Sequence, residues 1–239
     1  MASEYLKWKY KDVKPRGKTE LTPAEKRKNW WHYHKWHVVV GAMLILGGAS
    51  ILWDALGIGR VKPDYQFAYV GTYTLPEDTV SALEKGLAAF GADQNGDGTV
   101  NVSIRQYPLY SVDAETVMAV QIQLMADLTQ YESCFFLLED PERFQRDYHA
   151  LCRLDGSLPE EGDGSAEGTY LLWEQCPALA GMDLGNYSDD LPGETVTGDS
   201  GELISGLALA RRGSWGEKSA PYPEGCQALW VALTEGASA

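Results

Sequence analysis

The chain has few histidines and cysteines, which are common ligands of metal ions and common groups in acid–base and nucleophilic catalysis. It has four histidines and four cysteines in 239 residues, and three of the histidines stand together in the segment 28–37, KNWWHYHKWH. The cysteines, with 17, 23 and 49 residues between them, match no zinc-binding pattern. No P-loop and no G-x-G-x-x-G sequence occurs, so the usual glycine turns for nucleotide phosphates are missing.

Cationic residues are scarce in the larger part of the chain. From Asp64 onward there are eight Lys and Arg against 29 Asp and Glu, a balance of −21. Residues 1–35 hold ten Lys and Arg against four acids, a balance of +6. The basic arm and the acidic body are therefore separate electrostatic parts, and the acidic body would repel nucleic acid. We expect no nucleic-acid partner.

The segment between these two parts is apolar. Residues 38–53, VVVGAMLILGGASILW, contain no charge, and the run continues to Gly59 with Asp54 as its only charged residue. These 22 residues would form roughly 33 Å of helix, and a bilayer core is ~30 Å thick. The sequence predicts a transmembrane helix over 36–59. The long basic region ahead of it and the lack of an A-x-A pattern disfavour a cleaved signal peptide.

The flanks of this segment predict its orientation. Four cations stand just before it and two follow it, at Lys26, Arg27, Lys28 and Lys35, and at Arg60 and Lys62. By the positive-inside rule, residues 1–35 form a cytoplasmic arm and residues 64–239 an extracytoplasmic domain. The sequence Thr22-Pro23-Ala24-Glu25 has the form of a capping box and predicts a juxtamembrane helix.

The aromatic residues of the segment 28–37 suit the headgroup region of a membrane. Amphipathic rings prefer that level, and the segment holds Trp30, Trp31, Tyr33 and Trp36. Of its three histidines, only His34 and His37 would share a helix face. We interpret the segment as an aromatic anchor rather than a metal or haem site, because ligands of a metal must converge.

The extracytoplasmic domain alternates between strand and helix patterns. Strands are predicted at 66–72, 99–107 and 134–138, and helices at 75–90, 113–128 and 141–151. This βαβαβα order predicts an α/β domain with a mostly parallel sheet. Further strands are predicted at 169–173, 203–211 and 228–233. They give a strand-rich C-terminal part that extends the sheet or forms a small lobe.

The stretch DQNGDG, 93–98, offers oxygen ligands at alternate positions around glycine turns, as calcium requires. The expected ligands are the side chains of Asp93, Asn95 and Asp97, the carbonyl of Thr99 and a contact from Asn101. An EF-hand would have a bidentate glutamate where this chain has Ile104, so a calcium site would need a carboxylate from elsewhere. The alternative is a tight turn between a helix and a strand.

Other candidates are weaker. Gly198-Asp199-Ser200-Gly201 is similar to the nucleophile motif of chymotrypsin-like proteases, but His149 is the only histidine of the domain and a surface turn is the alternative. Two disulfides are permitted but not required. The doublet Arg211-Arg212 could hold an anion or balance the acidic surface. The tryptophans of the last third could line a cleft or pack in the core.

The run 64–109, DYQFAYVGTYTLPEDTVSALEKGLAAFGADQNGDGTVNVSIRQYPL, resembles the first β-α-β unit of bacterial extracytoplasmic solute-binding proteins. Some members of that family carry a D-x-N-G-D-G turn between helix and strand. The resemblance covers residues 64–152, and the whole layout is similar to membrane-anchored envelope proteins of Firmicutes. It implies an outer domain that binds a small molecule.

Three functions are compatible with these patterns. We expect a single-pass membrane-anchored domain that binds a small molecule or a protein, with Ca²⁺ as a candidate stabilising ion. A membrane-tethered hydrolase acting through acidic residues is the first alternative. A structural subunit of a membrane complex is the second. A deep pocket would favour the binding domain. A desolvated pair of carboxylates would favour the hydrolase. A large apolar patch would favour the structural subunit.

Overall fold

The computed structural model describes residues 2–9, 11, 22–55, 62–111, 114–160, 162–191, 194–214 and 219–237, with the side chains of the long N-terminal helix described as far as Ile51. The chain divides into two compact units, Met1–Arg60 and Val61–Ala239. The first unit contains the helices α1 (Ala2–Lys9) and α2 (Pro23–Ala55). The capping box is formed at the start of α2, where the backbone amide and hydroxyl of Thr22 donate to the Glu25 carboxylate at 2.9 and 2.8 Å.

The helix α2 covers 33 residues and contains the apolar run that the sequence predicts to span a bilayer. Among the described residues, no helix is long and apolar enough to cross a membrane. This finding does not support the transmembrane helix predicted over 36–59. Residues 56–59 of that prediction lie outside the described part of the chain.

The first half of the second unit confirms the predicted alternation of strands and helices. Its elements are β1 (Tyr65–Val70), α3 (Glu77–Ala88), β2 (Val102–Tyr107), α4 (Ala114–Gln130), β3 (Phe135–Leu138) and α5 (Pro141–Tyr148). The second half is more mixed. It contains β4 (Tyr170–Leu172), a 3₁₀ turn at Trp173–Gln175, α6 (Pro177–Ala180), β5 (Asn186–Leu191), β6 (Glu194–Asp199), α7 (Ser200–Ile204), β7 (Ala208–Arg211) and α8 (Pro223–Thr234).

The main sheet has the strand order β2-β1-β3-β7-β4. Strand β1 pairs in parallel with β2 and β3, whereas β7 runs antiparallel to both β3 and β4. Four of the five strands therefore point in the same direction, so the prediction of a mostly parallel α/β sheet is confirmed. The hairpin β5–β6 forms a separate two-stranded sheet.

Helices cover both faces of the main sheet because alternate strand residues point to opposite sides. Phe67 and Phe135 lie in the hydrophobic cluster on one face, together with residues of α3, α6, α7 and α8. Phe136 and Leu138 lie in the cluster on the other face, together with residues of α4 and α5. The strands β1 and β3 are buried along their whole length, as expected for a sheet enclosed between helical layers.

Three features of the C-terminal part differ from the sequence prediction. The run 228–233 is not a strand but belongs to α8, where Leu229, Trp230 and Leu233 are buried on one helix face. The predicted strand 203–211 is divided between α7 and β7. The hairpin β5–β6 was not predicted. A short continuous apolar run cannot be assigned to strand or helix by its period alone, and Pro223 at the first position of α8 was the overlooked helix signal.

Candidate functional site

The loop that joins α3 to β2 contains the predicted calcium ligands. It lies at the edge of the main sheet where the parallel strands β1, β2 and β3 begin, which we call the amino edge. The carboxylate of Asp93 accepts hydrogen bonds from the backbone amides of Gly96 and Gly98 at 2.6 and 2.8 Å. Both glycines have a positive φ, 77° at Gly96 and 88° at Gly98, and residues with a side chain rarely adopt this conformation. Asp93 therefore closes a tight glycine turn.

The other predicted ligands also form hydrogen bonds within the loop. The side-chain oxygen of Asn95 accepts from the Asp97 amide at 2.8 Å. Asp97 in turn accepts from the hydroxyl and the amide of Thr99 at 2.7 and 2.9 Å, and these two bonds lower its pKa. The amide of the Asn101 side chain donates to the Thr99 hydroxyl at 2.9 Å. The structure brings the five predicted residues together as a set of turns.

Asp64 is the carboxylate from outside the loop that fixes its position, and sequence reasoning did not single it out. Its side chain accepts from the backbone amides of Gln94, Asn95 and Asn101 at 2.7, 3.0 and 2.8 Å. Asp64 is only 2% exposed, so these bonds are shielded from water. It precedes β1 directly, and its role follows from tertiary packing that a sequence pattern does not display.

Among the described residues, no group of three or more His, Cys, Asp or Glu is arranged to hold a metal ion. Ile104, at the position of an EF-hand's last ligand, lies inside β2 and is buried. In α2, the His34 ring stacks on Trp30 at 5.0 Å, and its Nδ1 lies 2.9 Å from the Trp30 carbonyl oxygen. His34 therefore has partners within its own helix.

A cavity of about 240 Å³ lies at the amino edge, beside the start of β3 and the end of β7. Its lining is mixed. Apolar side chains such as Phe135 and Leu158 face it, together with three thiols and two arginines, Arg211 and Arg212. A second cavity of about 320 Å³ lies at the same edge and shares Cys134 with the first. Asp64, which holds the loop 93–101, lines the second cavity, and Arg211 lines the first.

Arg211 is held firmly at the wall of the 240 Å³ cavity. Its guanidinium donates to the Gln227 side chain at 2.7 Å and to the Leu154 carbonyl at 2.9 Å. The same group lies 5.0 Å from the Trp230 ring, which attracts cations through its π face. Gly156 approaches it so closely that an added Cβ would lie 3.0 Å from a guanidinium nitrogen.

Arg212 points to the other face of the sheet. Its guanidinium donates to the Leu128 carbonyl and lies 4.1 Å from the Tyr131 ring. Burial lowers its pKa, although an arginine stays protonated in proteins. Neighbouring positions at the end of β7 thus place two cations on opposite faces of the sheet, and the guanidinium of Arg211 is the one on the side of Gln227 and Trp230.

Two of the thiols that line the cavity are poor nucleophiles. All four cysteines of the chain are free, and the cavity is lined by Cys134, Cys152 and Cys226. Burial raises the pKa of Cys134 and of Cys152, so both remain protonated at neutral pH. Cys226 is half-buried and lies on α8. The disulfides that the sequence permits are not formed in this structure.

The carboxyl ends of β1 and β3, where open α/β sheets usually bind ligands, are closed by Glu139. Its carboxylate accepts from the Tyr69 hydroxyl at 2.6 Å and from the amide and hydroxyl of Thr72, both at 2.8 Å. A Cβ on Gly71 would lie 2.3 Å from the Tyr69 oxygen and 2.4 Å from the Glu139 carboxylate. Side chains therefore fill this position.

The remaining sequence candidates are structural. Ser200 is fully buried, and its hydroxyl accepts from Thr79 at 2.9 Å. His149 ends α5 in a left-handed conformation, with Nδ1 3.3 Å from the Asp163 carbonyl oxygen. Trp173 and Trp230 are buried in the core, and Trp215 lies outside the described residues. The protease-like motif thus has its serine in the core and at the start of α7, rather than in a surface turn.

We predict that Asp64→Ala lowers the stability of the domain by about 3 kcal/mol, because three shielded backbone amides lose their acceptor. For a chain of this size, such a loss lowers Tm by roughly 6–12 °C. Asp93→Ala is the matched control, since its amide partners are exposed and can bond to water. Thermal unfolding of the full chain in detergent measures both. Equal shifts for the two variants would contradict the central role of Asp64.

Comparison with models of protein families, with curated proteins and with solved structures finds no match to this chain. The resemblance of residues 64–152 to solute-binding proteins therefore remains a prediction from the sequence.

Proposed function

We propose that this protein is a single-pass membrane-anchored binding protein. In this proposal α2 is the anchor, and the α/β domain lies outside the membrane and binds a small molecule or a protein at its amino edge. The observation that carries the proposal is the surface of α2, where four consecutive apolar side chains are about 70% exposed. They are Met43 at 69%, Leu44 at 72%, Ile45 at 73% and Leu46 at 70%.

Four consecutive helical residues cover all sides of a helix, because each is turned by about 100° from the last. A helix that is apolar all round requires an apolar environment rather than water. Ile51 is also exposed, at 71%, and the sequence continues with the apolar Leu52 and Trp53. The span that we propose therefore includes residues whose side chains lie beyond the described part of α2.

The residues ahead of the apolar run support an anchored helix with a cytoplasmic N-terminus. Trp30, Trp31, Tyr33 and Trp36 are all more than half exposed, as rings at headgroup level would be in the absence of lipid. The cations of this part, Lys26, Arg27, Lys28 and Lys35, are exposed on the same helix. The positive-inside rule then directs the acidic domain to the extracytoplasmic side.

The amino edge favours binding over hydrolysis. Its 240 Å³ cavity has fixed polar groups and apolar walls, which is the composition of a small-molecule site. The fully buried carboxylates of the described residues are Asp64 and Asp127. Asp127 accepts from the Tyr107 hydroxyl at 2.8 Å and from the hydroxyl and amide of Ser133 at 2.6 and 2.9 Å. Both carboxylates are thus committed to structural donors, whereas a hydrolase needs a pair that faces a substrate.

A protein partner is supported by one separate surface. Met118, Ile122 and Met125 are exposed at 67%, 66% and 48% and lie along one side of α4 at helical spacing. Exposed apolar stripes of this kind are typical of helix docking surfaces. This stripe is the observation that favours the structural subunit of a membrane complex as the second candidate function.

We predict that charges introduced into α2 release the protein from the membrane. Lys at the centre of a spanning helix costs about 3 kcal/mol on insertion scales, so Leu44→Lys together with Leu46→Lys should cost about 6 kcal/mol. The measurement is the fraction of full-length protein that stays in bacterial membranes after alkaline carbonate extraction. The matched control is Ile122→Lys, a substitution at an equally exposed apolar residue of the α/β domain.

Wild type and the control variant should remain in the membrane pellet, and the double variant should appear in the supernatant. External protease added to spheroplasts should digest the α/β domain and spare the arm. Extraction of the wild-type protein by carbonate would contradict the proposal that α2 is an anchor. Protection of the α/β domain from external protease would contradict the proposed orientation.

The proposal includes Ca²⁺ as a structural ion at residues 93–101. The loop presents side-chain oxygens of Asp93, Asn95 and Asp97 on exposed turns within five residues, and the lowered pKa of Asp97 keeps it ionised. Each carboxylate oxygen that accepts one hydrogen bond still has a lone pair for a cation. Backbone carbonyls and waters would supply the remaining ligands.

We predict that millimolar Ca²⁺ raises the Tm of EDTA-treated full-length protein. Binding at 100 times Kd adds about 2.7 kcal/mol to the free energy of unfolding. Asp97→Asn should abolish the rise, whereas Asp183→Asn should retain it, since Asp183 makes a similar turn bond, to the Gly185 amide at 3.1 Å, outside the loop. A Tm that does not respond to Ca²⁺ in wild type would reduce the loop to a turn.

A further inference from the structure

The 240 Å³ cavity has the opposite charge to the rest of its domain. Arg211 and Arg212 line it, and no Asp or Glu is among the described residues that do so. In the described part of the chain, the ion pairs of arginine involve Arg105, Arg143, Arg146 and Arg153 and not these two. The Arg211 guanidinium therefore borders the cavity without a carboxylate at ion-pair distance, although the Asp155 carboxylate attracts it from further away. The Arg212 guanidinium lies on the other face of the sheet, against Leu128 and Tyr131.

The hydrogen bonds of Arg211 are also incomplete. Its Nε is buried and has no acceptor, and its two terminal nitrogens donate to neutral partners. The guanidinium has five N–H groups and stays protonated in a protein. An oxygen-rich anion in the cavity would supply the negative charge that the described lining lacks, together with an acceptor for a remaining terminal N–H.

The guanidinium of Arg211 is pre-organised for such a ligand. Its other nitrogens are held by Gln227 and by the Leu154 carbonyl, and its plane lies over Trp230. A fixed side chain loses little conformational entropy when a ligand binds. The apolar wall, with Phe135, would contact the rest of the ligand.

We propose that this cavity binds a small anion through carboxylate or phosphate-type oxygens that accept hydrogen bonds from Arg211. The proposal rests on the proposed binding function and names its ligand class. A cavity of about 240 Å³ suits a small organic acid or a compact phosphate. Guanidinium groups bind such oxygens with charge-assisted hydrogen bonds.

The test uses Cys226 as a reporter, because it lines the cavity and is half-buried. The full chain in detergent is treated with N-ethylmaleimide at constant ionic strength, and modification of Cys226 is followed by mass spectrometry. The probes are isovalerate, inorganic phosphate, the uncharged isovaleramide and the cation putrescine, each at 10 mM. Isovalerate or phosphate should slow the modification at least threefold and raise Tm, and the other two should do neither.

A second test places a carboxylate beside Arg211, where it would compete with the anion. Gln227→Glu keeps the acceptor that Arg211 already uses and adds a negative charge beside it. Gln227 is exposed, so the variant should fold. We expect at least tenfold weaker protection by the anion. Ala228→Glu makes the same change in net charge at the next exposed position of α8, outside the cavity lining, and should bind like wild type.

The outcomes separate this proposal from the binding function on which it rests. Protection by isovalerate alone or by phosphate alone supports the anion site and identifies the type of oxygen. Equal protection by isovaleramide would leave the cavity as a binding site and overturn the anion. Wild-type affinity in Gln227→Glu would also overturn it. If no probe slowed modification or raised Tm, both the anion and the cavity as a site would be refuted.

Discussion

The carboxylate of Asp64 accepts hydrogen bonds from the backbone amides of Gln94, Asn95 and Asn101, and the loop between α3 and β2 is positioned by these bonds. The Gln94 side chain then donates to the Tyr65 hydroxyl at 3.0 Å. It also packs on α8, where a Cβ on Gly225 would lie 2.4 Å from it. A single buried acid at the start of β1 thus fixes the loop and, through it, the helix that borders the arginine-lined cavity.

Charge divides the protein into parts with different roles. In the arrangement that we propose, the basic arm and the apolar surface of α2 suit a membrane interface, and the negative charge of the α/β domain would keep that domain away from anionic lipid. Within that body, the side chains of Arg211 and Arg212 are held by carbonyls and aromatic rings rather than by carboxylates. This arrangement leaves the positive charge of Arg211 at the wall of the cavity, although the domain as a whole is acidic.

The order of the first six elements of the α/β domain was predictable from sequence because each apolar pattern is long or alternates clearly. The calcium-like turn at 93–98 was also located correctly between a helix and a strand. The cavity was not predicted, since it is assembled from the start of β3, the end of β7 and the first turn of α8. The run 228–233 was predicted to be a strand, so the helix α8 was not predicted. Asp64 was missed because its three partners are backbone amides about 30 residues away or more.

Open α/β sheets usually bind ligands at the carboxyl ends of their strands, whereas the site that we propose lies at the opposite edge. Glu139, Tyr69 and Thr72 fill the position between the ends of β1 and β3. The 240 Å³ cavity and Arg211 lie beside the starting end of β3. The central claim is therefore that a ligand contacts the amino edge.

Hydrogen–deuterium exchange of the full chain, with and without saturating phosphate or isovalerate, tests this claim most directly. The account predicts slower exchange in the segments that border the cavity, 134–136, 152–158, 211–214 and 223–227. It also predicts unchanged exchange in 71–76 and 139–141, at the carboxyl ends of β1 and β3. Slower exchange confined to those carboxyl-end segments would contradict the account and place the binding site at the usual edge of the sheet.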